Sequence, residues 1–133
     1  MKQNYMTNRA IHFFLFDIKS GKSLLHKRDE MTDEQKEKWD LFGGNVRMGE
    51  SYSQAFRREL YEELGIVSDG KEGVWQLKED LYYLEFSKRS TRDLKLNEGA
   101  GFAWFSRKEI SNLQNLTEYA IKELKQFYGR KGI

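Results

Sequence analysis

At 133 residues the chain is long enough for one well-filled core, and residues 1–133 read as a single domain. Apolar residues make up 38% and aromatics 14%, which excludes an intrinsically disordered polymer. The 23 basic residues nearly balance the 21 acidic ones and cysteine is absent. Charge therefore gives no reason to expect a nucleic-acid polymer as partner, and disulfide, thiol-nucleophile and zinc-thiolate chemistry are excluded. The first residues carry no apolar signal core and no apolar run approaches membrane-spanning length, so a cytoplasmic protein without a membrane partner is expected.

The stretch from Ala10 to Ile18 is apolar on both parities, as in a strand covered on both faces. That predicts a sheet held between helices. His12 sits inside this run and reads as a satisfied core or edge histidine rather than a ligand. Ser20-Gly21-Lys22 is a turn, and Ser23 to Lys27 a second strand that ends in the basic cluster His26-Lys27-Arg28. Such a cluster is a solvated rim or, in a phosphate-handling protein, a clamp, for which the fork of Arg28 is the preferred group. Residues 29 to 38 are charged and form a long loop or a short exposed helix.

Trp39 to Gly44 follows, with Trp39 expected in a core wall rather than as a base-stacking platform. Gly43 and Gly44 permit positive φ and close approach of backbone to a ligand, which makes both candidates for substrate contact. From Ser51 to Leu64 no Pro or Gly interrupts a helix-compatible run. Ser51 or Ser53 caps its start, Glu50 lies favourably against the positive end of the dipole, and Gly65 supplies a left-handed stop. Glu59, Glu62 and Glu63 then share one stripe, while Phe56, Leu60 and Leu64 form the neighbouring buried one. Three carboxylates crowded in this way form either a solvated acidic face or a seat for a hard cation, which turns their repulsion into attraction. The preceding Gly-Gly turn and the adjoining apolar stripe favour the cation.

Beyond Ile66 a turn-rich link reaches Gly73, and Val74–Leu77 and Leu81–Phe86 read as strands. Lys88 to Arg92 is a basic hairpin tip with its return at Asp93 to Leu96. Asn97 to Gly101 is a glycine-rich loop carrying Glu98, ahead of a strand at Phe102–Phe105. Ser106 and Glu109 make a capping box for a short helix to about Leu113. A last helix opens at Thr117 and runs through Phe127, with Ala120, Leu124 and Phe127 on its inner face.

Gly44, Glu50, Arg58, Glu59, Leu60, Glu62, Glu63, Gly65 and Ile66 stand at the spacing G-x5-E-x7-R-E-U-x-E-E-x-G-U. This resembles the Nudix box of the Nudix hydrolases. A chance match of its seven fixed identities is on the order of one in a hundred million per starting point. The family more often has Pro before its Gly-Gly; here Phe42 stands there, and the glycines keep the turn.

The resemblance implies an α/β fold, the Nudix α/β/α sandwich with a mixed central sheet and the loop-helix-loop. It implies hydrolysis of a nucleoside diphosphate linked to another group, by water attack on phosphorus. It also implies Mg2+, with Mn2+ as a substitute, held by Glu59, Glu62, Glu63 and the Gly44 carbonyl. Such ions would bridge phosphate oxygens, lower the pKa of bound water and stabilise the leaving oxygen. Arg58 would pair with Glu50 or a ligand carboxylate, and Arg28 stands where related oxidised-nucleotide triphosphatases contact phosphate. The general base is Glu62 or Glu98. The partner is a small-molecule nucleotide, either a nucleoside triphosphate, oxidised ones included, or ADP-ribose or another nucleotide sugar. An RNA cap would want a larger basic or aromatic surface. Relatives are commonly homodimers. The alternative is a nucleotide-binding sensor without hydrolysis; loss of box carboxylates would mark it, and none is lost.

Overall fold

The apolar run that begins the chain becomes β1, Met6–Asp17, the strand around which the rest is arranged. Its odd residues Ile11, Phe13 and Leu15 enter one core cluster, and its even residues Phe14 and Phe16 enter another on the opposite face. The computed structural model describes residues 6–28, 37–86 and 101–132. Glu98, the basic tip at 88–92 and most of the charged segment from 29 lie outside the described residues.

The further strands are β2 (Lys22–Lys27), β3 (Trp39–Asp40), β4 (Phe42–Arg47), β5 (Val74–Lys78), β6 (Leu81–Phe86) and β7 (Phe102–Phe105). Among the described residues they form one mixed sheet ordered β3-β2-β1-β6-β5, with β4 beside β1 and β7 beside β2. β1 runs parallel to β6, with Phe13 opposite Tyr82, and antiparallel to β2 and β4. Leu15 to Asp17 pair with β2, whereas Ala10 to Phe13 pair with β4. Since β6 occupies the other edge of β1 over both stretches, β2 and β4 share one edge and the sheet forks between them.

The helices are α1 (Tyr52–Leu64), α2 (Arg107–Asn112) and α3 (Glu118–Lys131). α1 covers one face through Phe56, Leu60 and Leu64, and α3 covers the other through Ala120, Leu124 and Phe127. Aromatic rings fill both layers: Phe56 stacks on Tyr82 at 5.0 Å, and Phe127 meets Phe14, Phe16 and Tyr83 edge-on at 4.9 to 5.0 Å. Offset and edge-on contacts of this kind are favourable beyond the area they bury. The result is the α/β/α sandwich expected from the both-sided strand.

Several boundaries differ from the sequence reading, and β1 runs from Met6 to Asp17 rather than from Ala10 to Ile18. Phe42–Arg47 is a strand rather than a turn leading into a helix, because β1 supplies hydrogen-bond partners that a Gly-Gly-Asn sequence does not announce. α3 runs a turn past Phe127 to a left-handed cap at Gly132, although Gly129 lies inside it. Trp39 packs its ring against Phe105 at 4.9 Å on the second core, as a wall residue.

Candidate active site

α1 starts where a local contest is settled. Ser51, not Ser53, is the N-cap, and its hydroxyl accepts from Gln54 N at 3.0 Å while the Gln54 side chain accepts from Ser51 N at 2.8 Å. Gly65, with φ of 70°, ends the helix by donating its N–H to Tyr61 O. Apolar burial of Phe56 and Leu60 fixes the helix's rotation, which turns the carboxylate stripe toward β4.

Glu50 is a partner of Arg58, one of those the family resemblance implied for that guanidinium. It accepts from Arg47 N at 2.9 Å and from Arg58 Nε and Nη2 at 2.7 and 3.1 Å. The Arg58 bond, together with the Arg47 amide, holds its carboxyl below the usual carboxylate range. Arg58 also donates to Glu59 Oε2 at 2.9 Å, Glu62 Oε1 at 3.1 Å and the Asn45 carbonyl at 2.9 Å. Its donors are thereby committed, and its own pKa is raised, chiefly by Glu50. Arg47 lies 3.7 Å from Glu62 Oε2.

Gly44 explains how the stripe reaches the sheet. Any side chain there would overlap the Glu59 carboxylate, so the absence of a Cβ is what lets Glu59 rest on the β4 backbone. Glu59 is only 8% exposed; burial raises its pKa, opposed by the bond from Arg58. Glu63 is raised as well, first by burial and then by Glu59 and Glu62. Both groups are carboxylates short of solvation.

This set fits a hard divalent cation in donor chemistry and in charge. Four carboxylates, Glu50, Glu59, Glu62 and Glu63, face two guanidiniums, Arg47 and Arg58, leaving two net negative charges. Among the described residues no three acidic or imidazole groups are already gathered as an ion's ligand set. The reason is visible at Glu62, whose two oxygens are turned to Arg58 and Arg47. Its side chain is 44% exposed, so it has room to turn.

Beside the stripe, at the fork of the sheet, is a cavity of about 240 Å3. Gly43, Gly44 and Asn45 form one wall, β1 contributes Ala10 and His12, and His26, Arg28, Asp40 and Leu41 close it. Gly44 thus touches both the cavity and Glu59, and joins the acidic stripe to the pocket. Arg28, Gly43, Gly44 and the stripe are brought together; Glu98 lies outside the described residues.

His12 corrects an expectation. Its Nδ1 is buried and, among the described residues, has no hydrogen-bond partner, and its ring lies 4.5 Å from that of Tyr119. Burial lowers its pKa, which keeps the imidazole neutral at pH 7. Asp40 went unnoticed in the sequence. It is 7% exposed and accepts from Arg28, from Leu41 N and from Thr117 Oγ1. Its signal was a lone acid within the apolar run Trp39-Asp40-Leu41-Phe42.

Comparison with known proteins bears on the family and the fold. A model of the NUDIX domain matches residues 6–127. An oxidized purine nucleoside triphosphate hydrolase of Danio rerio is 46% identical over 41 residues, 31% of this chain and 26% of the relative, so the match spans about a quarter of that protein. The structure of a MutT protein from Methanosarcina mazei Go1 covers 92% of this chain and 93% of its own, at 25% identity and a TM-score of 0.60. A bifunctional NMN adenylyltransferase/ADP ribose pyrophosphatase from Francisella tularensis, complexed with AMP and a Mn ion, shares the fold. It covers 97% of this chain and 43% of its own, at 18% identity and a TM-score of 0.66.

Proposed function

The chain belongs to the NUDIX family, and from that premise we propose that it is a divalent-cation-dependent pyrophosphohydrolase acting on a small nucleotide. The observation that carries the proposal is the acidic stripe of α1, two charges in excess, joined through Gly44 to a cavity of about 240 Å3. A nucleotide would lie across this junction, with its phosphates between Arg28 in the cavity and the stripe.

The reaction breaks one phosphoric anhydride bond as water adds to phosphorus, giving two phosphorylated products. Glu59, Glu62, Glu63 and the Gly44 carbonyl are the groups that would hold Mg2+ or Mn2+. When bound, the cation supplies neutralisation of phosphate charge and activation of the attacking water. Arg58 keeps Glu59 in place and, through Glu50, ties the start of α1 to the end of β4. Arg28 offers a cation to the substrate from the cavity side. Glu62 or Glu98 takes the proton of the water. Electrostatic placement of this kind carries most of the rate enhancement in phosphoryl transfer.

The preferred substrate is a nucleoside triphosphate, oxidised purines included. Arg28 in the cavity and the activity that the Danio rerio relative is named for support that choice. ADP-ribose is the second class. A hydrolysis panel with Mg2+, its products separated by anion-exchange chromatography, decides between them: eight nucleoside triphosphates, 8-oxo-dGTP, ADP-ribose, diadenosine polyphosphates and nucleotide sugars. The expected result is a monophosphate plus pyrophosphate from a triphosphate. AMP plus ribose 5-phosphate would select ADP-ribose, and no turnover on the whole panel would leave the sensor reading in its place.

A further inference from the structure

Building on that reading, we propose that Asp40 is a positioning residue that fixes the guanidinium of Arg28 for polyphosphate, with Thr117 holding Asp40 from behind. Each oxygen of Asp40 is committed. Oδ2 accepts from Arg28 Nη1 at 2.9 Å. Oδ1 accepts from Leu41 N at 2.8 Å and from Thr117 Oγ1 at 2.8 Å. Both residues line the cavity, but the carboxylate is buried, with a side-chain exposure of 10%, whereas Arg28 is 33% exposed.

That difference sets the roles. Asp40 spends both oxygens on protein partners, Arg28 on one and Leu41 and Thr117 on the other. The arginine beside it faces the cavity. An unanchored arginine carries about 2 kcal/mol of rotamer entropy that a ligand would have to remove, and the Asp40 contact removes part of it beforehand.

Thr117 extends the device into α3. It is the helix N-cap, its hydroxyl accepting from Ala120 N at 3.2 Å while donating to Asp40. The backbone beside it is stitched to β3, with Trp39 N donating to Asn115 O at 2.8 Å and Thr117 N to Trp39 O at 3.0 Å. The start of α3 and the phosphate-facing arginine therefore share one buried carboxylate.

The test is a double-mutant cycle on the full chain, read as the Kd of inorganic tripolyphosphate by titration calorimetry. Asp40→Asn is isosteric; it keeps an oxygen for Leu41 and Thr117 but turns an amide N–H toward Arg28. Losing one charge-assisted contact is worth on the order of tenfold. Arg28→Gln and Asp40→Asn are each expected to weaken binding by about that factor, and the double variant no further, because both remove the same contact. With the substrate found on the panel, KM rises in Asp40→Asn while kcat holds, as for a group that aids binding alike in ground and transition states.

Thr117→Val should shift affinity in the same direction and Thr117→Ser should restore it. Arginine side-chain NMR gives a measurement free of ligand: slow rotation of the Arg28 guanidinium in the wild type, fast in Asp40→Asn. Additive losses, wild-type affinity in Asp40→Asn, unchanged Arg28 rotation, or a wild type without affinity for tripolyphosphate would each overturn the assignment, even with turnover intact. A coupled cycle in a protein that turns over nothing on the panel would uphold the assignment and reject the hydrolase.

Discussion

Replacing Gly44 by alanine tests the junction on which the site depends. Gly44 has no positive φ, so alanine adopts its backbone without strain and the perturbation is purely steric. The added methyl would overlap the Glu59 carboxylate, which must move off the β4 backbone. Moving it breaks the 2.9 Å bond from Arg58, between side chains only 17% and 11% exposed. A charge-assisted bond lost in such surroundings costs about 1.5–3 kcal/mol. Alanine returns about 0.4–1 kcal/mol by restricting the unfolded chain. The net loss is about 1–2 kcal/mol, equivalent to a fall in Tm of roughly 4–8 °C for a domain of this size. Turnover should fall about 100-fold, the usual scale for a site displaced by an ångström. Differential scanning calorimetry in EDTA gives the first number and chromatographic product formation with Mg2+ the second. A Gly44→Ala protein with wild-type Tm and wild-type kcat would refute the close packing of Glu59 on Gly44.

Glu62→Gln and Glu63→Gln should each lower kcat by at least about 100-fold with an unchanged far-UV circular dichroism spectrum, the scale for a lost charge-stabilising group; near wild-type turnover in both would reject their assignment. Arg58→Lys keeps the charge but offers three donors without a planar fork to the partners the guanidinium serves. It should cost about 2–3 kcal/mol in urea unfolding, and a loss below the error of extrapolation would count against the network. Glu63 has a folded pKa raised first by burial, so the stability it permits is full below the ordinary carboxylate range and is lost as pH rises through the raised value. In EDTA, Glu63→Gln should therefore melt higher than wild type at neutral pH and equally below about pH 4. It should also lose most of the stabilisation that Mg2+ gives the wild type, which a thermal-shift titration reads directly. A variant less stable than wild type at neutral pH in EDTA would contradict the burial argument.

What the sequence disclosed and what it hid have physical reasons. β1 was legible because residues buried on both faces must be apolar on both parities, and Ile11 to Phe16 is such a run but for His12. α1 was legible because its cap, stop and stripe are local, and the structure moves its start only from Ser51 to Tyr52. β4 was hidden because its sequence, Phe-Gly-Gly-Asn-Val-Arg, lacks alternation and is held by pairing to a strand some thirty residues earlier. The pairing of Glu50 with Arg58, two turns away, came from the family resemblance, whereas position beside the helix suggested only the dipole. Asp40 and Thr117 lie 77 positions apart, and no local signal joins them. The carboxylate stripe was visible from spacing alone, but its dependence on the missing Cβ of Gly44 needed the fold.

The central claim is that the stripe of α1 holds a divalent cation. Titrating Mn2+ into the protein and counting the free ion by electron paramagnetic resonance tests it most directly. The wild type should take up Mn2+, and uptake should weaken as falling pH protonates Glu59 and Glu63, whose pKa values are raised by burial. The triple variant of Glu59, Glu62 and Glu63 to Gln should leave the ion free. Undiminished Mn2+ uptake by that variant, or none by the wild type, would contradict the account.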